Sequence, residues 1–164
     1  MTLALVELYR HNRWANLRLI DHLTTLDPKL LEATATGTFG RVDDTLKHIV
    51  ANEEGYLIQL GRPPGETLLF HEYSFPGLTE LRRRADLTGG ALTELAALVQ
   101  PGDTLSGTYQ GNPYTMPRVV PLMQAINHAT EHRAHIITTL SQQGIPPISL
   151  DAWTFWEHGM GQQG

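Results

Sequence analysis

The sequence predicts an all-α fold: a four-helix bundle with a short β-hairpin or extended segment between its third and fourth helices, and a short C-terminal helix. Three observations predict it. Four long segments carry apolar residues at three-to-four spacing, the period of one helix face. Proline and glycine punctuate the chain between them. One stretch, Thr104 to Thr115, breaks the helical pattern with Thr, Ser and Tyr.

The first helix is expected over Thr2 to Leu26, where Leu5, Leu8, Ala15, Leu19 and Leu26 lie near one stripe and Asp27-Pro28 ends it. The second spans Arg41 to Leu60, with Val42, Leu46, Ile49, Val50, Leu57 and Leu60 on its apolar face; Gly61 and Pro63-Pro64 stop it. The third spans Leu78 to Val99, weakened in its middle by Gly89-Gly90 and closed by Pro101-Gly102. In the β piece, Gly111-Asn112-Pro113 reads as the turn. The fourth helix starts around Pro117 to Pro121, where a first turn tolerates proline, and runs to Gln143 before Gly144 and Pro146-Pro147. A last short helix, Leu150 to His158, carries Trp153, Phe155 and Trp156. The length of the link between the third and fourth helices allows one long connection there.

The chain has 164 residues, which suits a single domain over 1–164 with a real core. Hydrophobic residues at 41% and charged residues at 18% mark a globular class. No apolar run is long enough to cross a bilayer, and the amphipathic start with Glu7 does not read as a signal peptide, so a cytoplasmic location is expected. A net charge of -5 argues against nucleic-acid binding, which needs a basic surface. The basic cluster Arg82-Arg83-Arg84 reads as a solvated helix face. There are no cysteines, which excludes disulfides, Cys-based zinc sites and a cysteine nucleophile. Any metal must use His, Asp or Glu, and the chain offers eight His.

The fourth helix contains Asn127-His128-Ala129-Thr130-Glu131-His132-Arg133-Ala134-His135. At about 100° per residue, His128 and His132 lie within about 40° of each other, with His135 and Glu131 near the same face. Val119, Leu122, Met123, Ile126, Ile137 and Leu140 lie roughly opposite. The strip is therefore either a solvated face or the lining of a cleft at the bundle edge. On the second helix, His48 stands beside the aliphatic face, with Asn52 one turn on. A lone His there reads most simply as a surface or core residue. Together with the later doublet, it makes three imidazoles that suit Zn, Ni, Fe or Co and leave room for water or substrate. Two rival motifs fail. A zincin needs Glu directly after the first His, where this chain has Ala129. A di-iron bundle needs Glu-x-x-His, and no Glu here has His three residues later.

His11-Asn12-Arg13-Trp14-Ala15-Asn16, the block His48 to Glu53 with Tyr56-Leu57, the Thr115 to Pro117 entry, and above all Asn127 to Arg133 together resemble the DinB/YfiT-like family of metal-dependent enzymes. The resemblance covers nearly the whole chain. It implies a four-helix bundle, often a homodimer, that holds a divalent metal on three His, here His48, His128 and His132. Zn or Ni fits first, with Fe, Mn or Co as further candidates. Some relatives are similar in fold to S-transferases that use a low-molecular-weight thiol. Where many relatives have His one turn before the doublet, this chain has Gln124; where many have Gly-Gln after the Arg, it has Ala134-His135.

The expected function is a metal-dependent hydrolase or a thiol S-transferase acting on a small molecule. The metal would be a Lewis acid toward water or a thiol. With no cysteine in the chain, the thiol must come from a cosubstrate. The alternative is a non-catalytic metal-binding or stress-response protein. Glu131 is the candidate general base, or else a surface ion-pair partner. His135 reads as a proton-shuttling group beside the site or as a plain exposed residue. Glu53, on the aliphatic face, needs a partner or a raised pKa; it either orients a ligand His or pairs with Arg13 or Arg133. Trp14, Trp153, Phe155 and Trp156 read as core or dimer packing. His11 carries no assigned chemistry, and His22, His71 and His158 read as surface.

Overall fold

A computed structural model describes residues 2–72 and 74–160. The end points 1 and 164 of the expected domain lie outside that range. The chain is mostly helical: α1 Thr2–Leu23, α2 Val42–Gln59, α3 Leu78–Leu98, α4 Val119–Gln142 and the short α5 Ala152–Phe155, which continues into a π-helical turn Trp156–Met160. One hairpin, β1 Thr104–Tyr109 and β2 Asn112–Pro117, stands between α3 and α4.

Local chemistry sets the boundaries. α1 stops three residues earlier than its apolar stripe suggests. The Thr24 and Thr25 hydroxyls donate to Asp21 O and His22 O at 2.6 and 2.7 Å and offer the backbone another partner. Asp27 then caps a 3-10 turn, Pro28–Glu32, by accepting from Lys29 N. α2 closes in a Schellman pattern: Arg62 N donates to Leu57 O and Gly61 to Ile58 O, with Gly61 at φ +81°. The hairpin turn is Gln110-Gly111, at φ 49° and 80°, one residue before the expected place. Asn112 and Pro113 belong to β2, opposite Tyr109 and Thr108.

Helix packing follows the apolar faces. α1 packs on α3 and α4, and α2 packs on the same two helices. The core falls into two clusters. One joins Leu19, Ile20, Leu46, Ile49, Val50, Leu81, Ile136 and Leu140; the other joins Tyr9, Leu57, Leu92, Leu95, Leu122 and Ala125. The order in which each helix visits them gives its direction: α1 and α4 run one way, α2 and α3 the other. The long connection is therefore not the one expected. α3 ends and α4 begins in the same cluster, so the hairpin is a local excursion. The segment 60–77 is the one that returns along the molecule, from Leu60 in the second cluster to Leu69 in the first.

Charged groups pin this return. Arg84 is buried and pairs with Glu54 at 2.8 Å while donating to Thr67 O; Glu54 accepts from Leu69 N. Lys47 donates to Glu72 O and Ser74 O. The Arg82-Arg83-Arg84 run is thus not one solvated face. Arg82 binds Asp21, Arg83 binds Glu66 and Glu80, and Arg84 points inward.

A polar network crosses the interior with a contribution from every long helix. Asn12 and Asn16 of α1 donate to Glu53 Oε1 of α2 at 2.9 and 2.8 Å, and Thr88 of α3 donates to Glu53 Oε2 at 3.0 Å. Arg133 Nη1 of α4 donates to the amide oxygens of the same two asparagines at 2.7 and 2.6 Å. Burial raises the Glu53 pKa against these bonds and the Arg133 charge. Burial also lowers Arg133 to about 10, with Glu53 opposing. Gly89, read from sequence as a weak point, is where α3 meets Arg13: a Cβ there would lie 2.7 Å from Arg13 Cγ.

Candidate metal centre

α2 and α4 bring His48, His128 and His132 together. Their candidate ligand nitrogens all lie within 4.8 Å of one another. The ring centroids are 4.8 Å apart for His48–His128 and His48–His132, and 4.4 Å for His128–His132. His132 is buried and the other two are half-buried, so the cluster sits at the edge of the core and still meets solvent.

The strip on α4 is not opposite the buried face. That face runs through Leu122, Ala125, Ala129, His132, Ile136 and Leu140, whereas Met123 is exposed. Alanine carries little hydrophobic signal, so the positions where α4 comes closest to its neighbours are the ones an aliphatic stripe overlooks.

Burial governs the protonation of the three imidazoles. Desolvation lowers His128 to about 4, helped by His132 and His48. It lowers His48, with His132 adding to it, and it lowers His132, with His135 adding and Glu131 opposing. Neutral imidazole is the ligating form. Each neutral ring carries one N–H and one lone pair. The 3.0 Å approach of His48 Nε2 to His128 Nε2 therefore holds a single shared proton. Among the described residues, buried His128 Nδ1 has no hydrogen-bond partner. Asn52 Nδ2 lies 3.1 Å from His48 Nδ1 and donates to His48 O at 2.8 Å.

These features fit a metal ion. Tetrahedral coordination at about 2.0–2.1 Å sets ligand nitrogens roughly 3.3 Å apart, close to the shortest separation found. With each ring's proton on Nδ1, both Nε2 atoms would present a lone pair, and a divalent ion could sit where the shared proton lies. Among the described residues no carboxylate joins the group, so the donor set is three nitrogens. Such a set suits Zn, Ni, Fe or Co.

The surroundings sort the remaining sequence candidates. Glu131 is exposed and makes no hydrogen bond to the cluster among the described residues. His135 is half-buried, and its Nδ1 lies 3.3 Å from His132 Nδ1. Glu53 touches none of the three imidazoles; it meets Arg133 only through the asparagines. Arg13 pairs instead with Asp86. His11 bonds Leu150 O at 2.8 Å, and its ring packs with Trp14 and Phe155. Phe155 is buried, but Trp153 and Trp156 are 78% and 62% exposed, so those two are not core.

Phe39 was not legible in the sequence. It stacks on His48 at 4.3 Å and meets His132 edge-on at 4.8 Å, although half its surface is exposed. It lies in the irregular link between Ala33 and Arg41, which has no periodicity to interpret. Its only sequence signal is a lone aromatic between Gly37 and Gly40. Tyr56 stands 6.3 Å from His128 and edge-on to it, with burial raising its pKa and a Gln124 hydrogen bond lowering it.

The profile of the DinB family matches residues 1–163. No curated protein and no solved structure gives a significant match.

Proposed function

The chain belongs to the DinB family, and from that premise we propose that it is a metal-dependent enzyme whose divalent ion, Zn or Ni first, is held by His48, His128 and His132. The observation that carries this reading is the convergence of three neutral imidazoles from two helices at a place that still meets solvent. A bound ion there supplies Lewis acidity toward water or a thiol cosubstrate. The protein's own part is to hold the three rings neutral by burial and to wall the site with Phe39 and Tyr56. The reaction is hydrolysis of a small molecule or transfer of a low-molecular-weight thiol to a small electrophile. The thiol must come from outside, because the chain has no cysteine.

A second reading, a non-catalytic metal-binding or stress-response protein, is favoured by one observation. Glu131, the candidate base, is exposed and lies outside the cluster. The finer architecture belongs to the same proposal: one four-helix bundle over residues 1–164, working as a cytoplasmic homodimer. Trp153 and Trp156 offer the apolar surface for that contact.

Elemental analysis of untagged protein tests the metal. One ion per chain in wild type, lost in His48→Ala, is expected; equal content in both sinks the triad. Metal-loaded protein is then assayed with thiols plus electrophiles and with esters and amides. Metal-dependent turnover on either panel supports the enzyme, and none on both leaves the non-catalytic reading.

A further inference from the structure

We infer that His135 is a positioning residue for this centre: it accepts a hydrogen bond from His132 Nδ1–H and thereby keeps the Nε2 lone pair of His132 free to ligate. The inference rests on the metal reading above. Its geometry is local to α4. His135 follows His132 by three residues, so the two side chains rise on one helix face. Their Nδ1 atoms are 3.3 Å apart, and the rings meet at 67° with centroids 5.3 Å apart. Among the described residues neither ring has another hydrogen-bond partner. Glu131, the nearest acid in sequence, makes no bond to His132 and does not fill this role.

Two tautomer pairs satisfy that contact. In one, His135 donates, His132 accepts at Nδ1, and the proton of His132 sits on Nε2. That blocks the nitrogen left to face the cluster. In the other, His132 donates at Nδ1 and its Nε2 carries a lone pair. Only the second arrangement lets His132 bind a metal through Nε2, so ligation selects it, and His135 is the acceptor that makes it available. Phe39 meets the His132 ring edge-on, so the ring is held from a second direction.

The test compares wild type, His135→Ala, His135→Gln and His48→Ala. Zinc affinity is measured at neutral pH by competition with a chromophoric chelator, and Co(II)-loaded protein is followed by visible absorption. Removing such a partner is expected to weaken affinity on the order of 10–100-fold and to change the Co(II) spectrum. Gln can accept a hydrogen bond at similar reach, and His135→Gln is expected to recover affinity to within about threefold. Unfolding of the metal-free variants separates this from a general loss of structure. Nitrogen–proton correlation spectra of the zinc-loaded wild type need no substitution and are expected to show His132 protonated at Nδ1. Wild-type affinity in His135→Ala, or His132 ligating through Nδ1, overturns the inference. If His48→Ala still loses its metal in that case, the triad stands and only the role of His135 falls. If His48→Ala also binds normally, the metal reading itself has failed.

Discussion

Glu53 and Arg133, two buried opposite charges, do not touch. Asn12 and Asn16 stand between them, each accepting from Arg133 Nη1 through its carbonyl oxygen and donating to Glu53 Oε1 through its amide. The amides let opposite charges share the interior without a direct ion pair, and they tie α1, α2 and α4 at one level.

Removing one charge strands the other. Arg133→Met is expected to lower the unfolding free energy by about 3–5 kcal/mol in urea titrations of metal-free protein. The double variant Glu53→Gln/Arg133→Met should lose less than the sum of the single variants, by about 1 kcal/mol or more. Strictly additive losses would show that the asparagines insulate the two charges rather than couple them.

The histidine shifts set a pH dependence. His48, His128 and His132 bind protons less readily when folded than in the unfolded chain, where the ordinary value is about 6.5. The unfolded state therefore binds more protons as pH falls through 6.5. Stability is full above that value and declines toward about 4, where His128 itself titrates. Metal should leave over the same acid range. Thermal unfolding of metal-free protein between pH 7 and pH 4.5 measures the decline, which His128→Ala should flatten. The difference between those two proteins isolates the histidine from Glu53, whose raised pKa tilts stability the other way.

Phe39 should slow traffic to the site. An aromatic contact of this kind is worth about 0.5–1.5 kcal/mol. On that scale, Phe39→Ala is expected to speed zinc release to a chelator by roughly 2- to 10-fold while leaving one ion bound per chain. An unchanged release rate would mean that the ring only rests on the imidazoles.

Gly89→Ala tests packing against propensity. Helix propensity alone favours alanine by about 1 kcal/mol. The added Cβ would lie 2.7 Å from Arg13 Cγ and 2.8 Å from Arg13 Cβ, atoms close to the α1 backbone. The expected result is a net loss of about 1–3 kcal/mol, seen as a lower urea midpoint. A gain would mean that α1 can draw back without penalty.

The predominance of helix, the order of the elements and the hairpin were legible in the sequence because periodicity and breakers are local signals. Direction was not. That α2 and α3 run the same way depends on which core each end joins, and the apolar stripes are silent on that. In the site, His128 and His132 are visible as a pair because one helix carries both. Their distance from the core was misjudged because Ala125 and Ala129 mark the buried side with little hydrophobicity. Arg84 was read as solvated because its partner Glu54 lies 30 residues away. Phe39 depends on contacts that no spacing rule reports, whereas the three-residue spacing already places His135 beside His132.

His48 and His128 are 80 residues apart in the chain, with the return segment, α3 and the hairpin between them. A nascent chain leaving the ribosome cannot assemble the three nitrogens until residue 132 has emerged and α4 has docked on α2. An ion bound at the proposed site would therefore favour finished molecules. A fragment stopping short of α4 keeps one imidazole of the three and, in competition with a chelator, should hold zinc no more tightly than the full chain carrying His48→Ala.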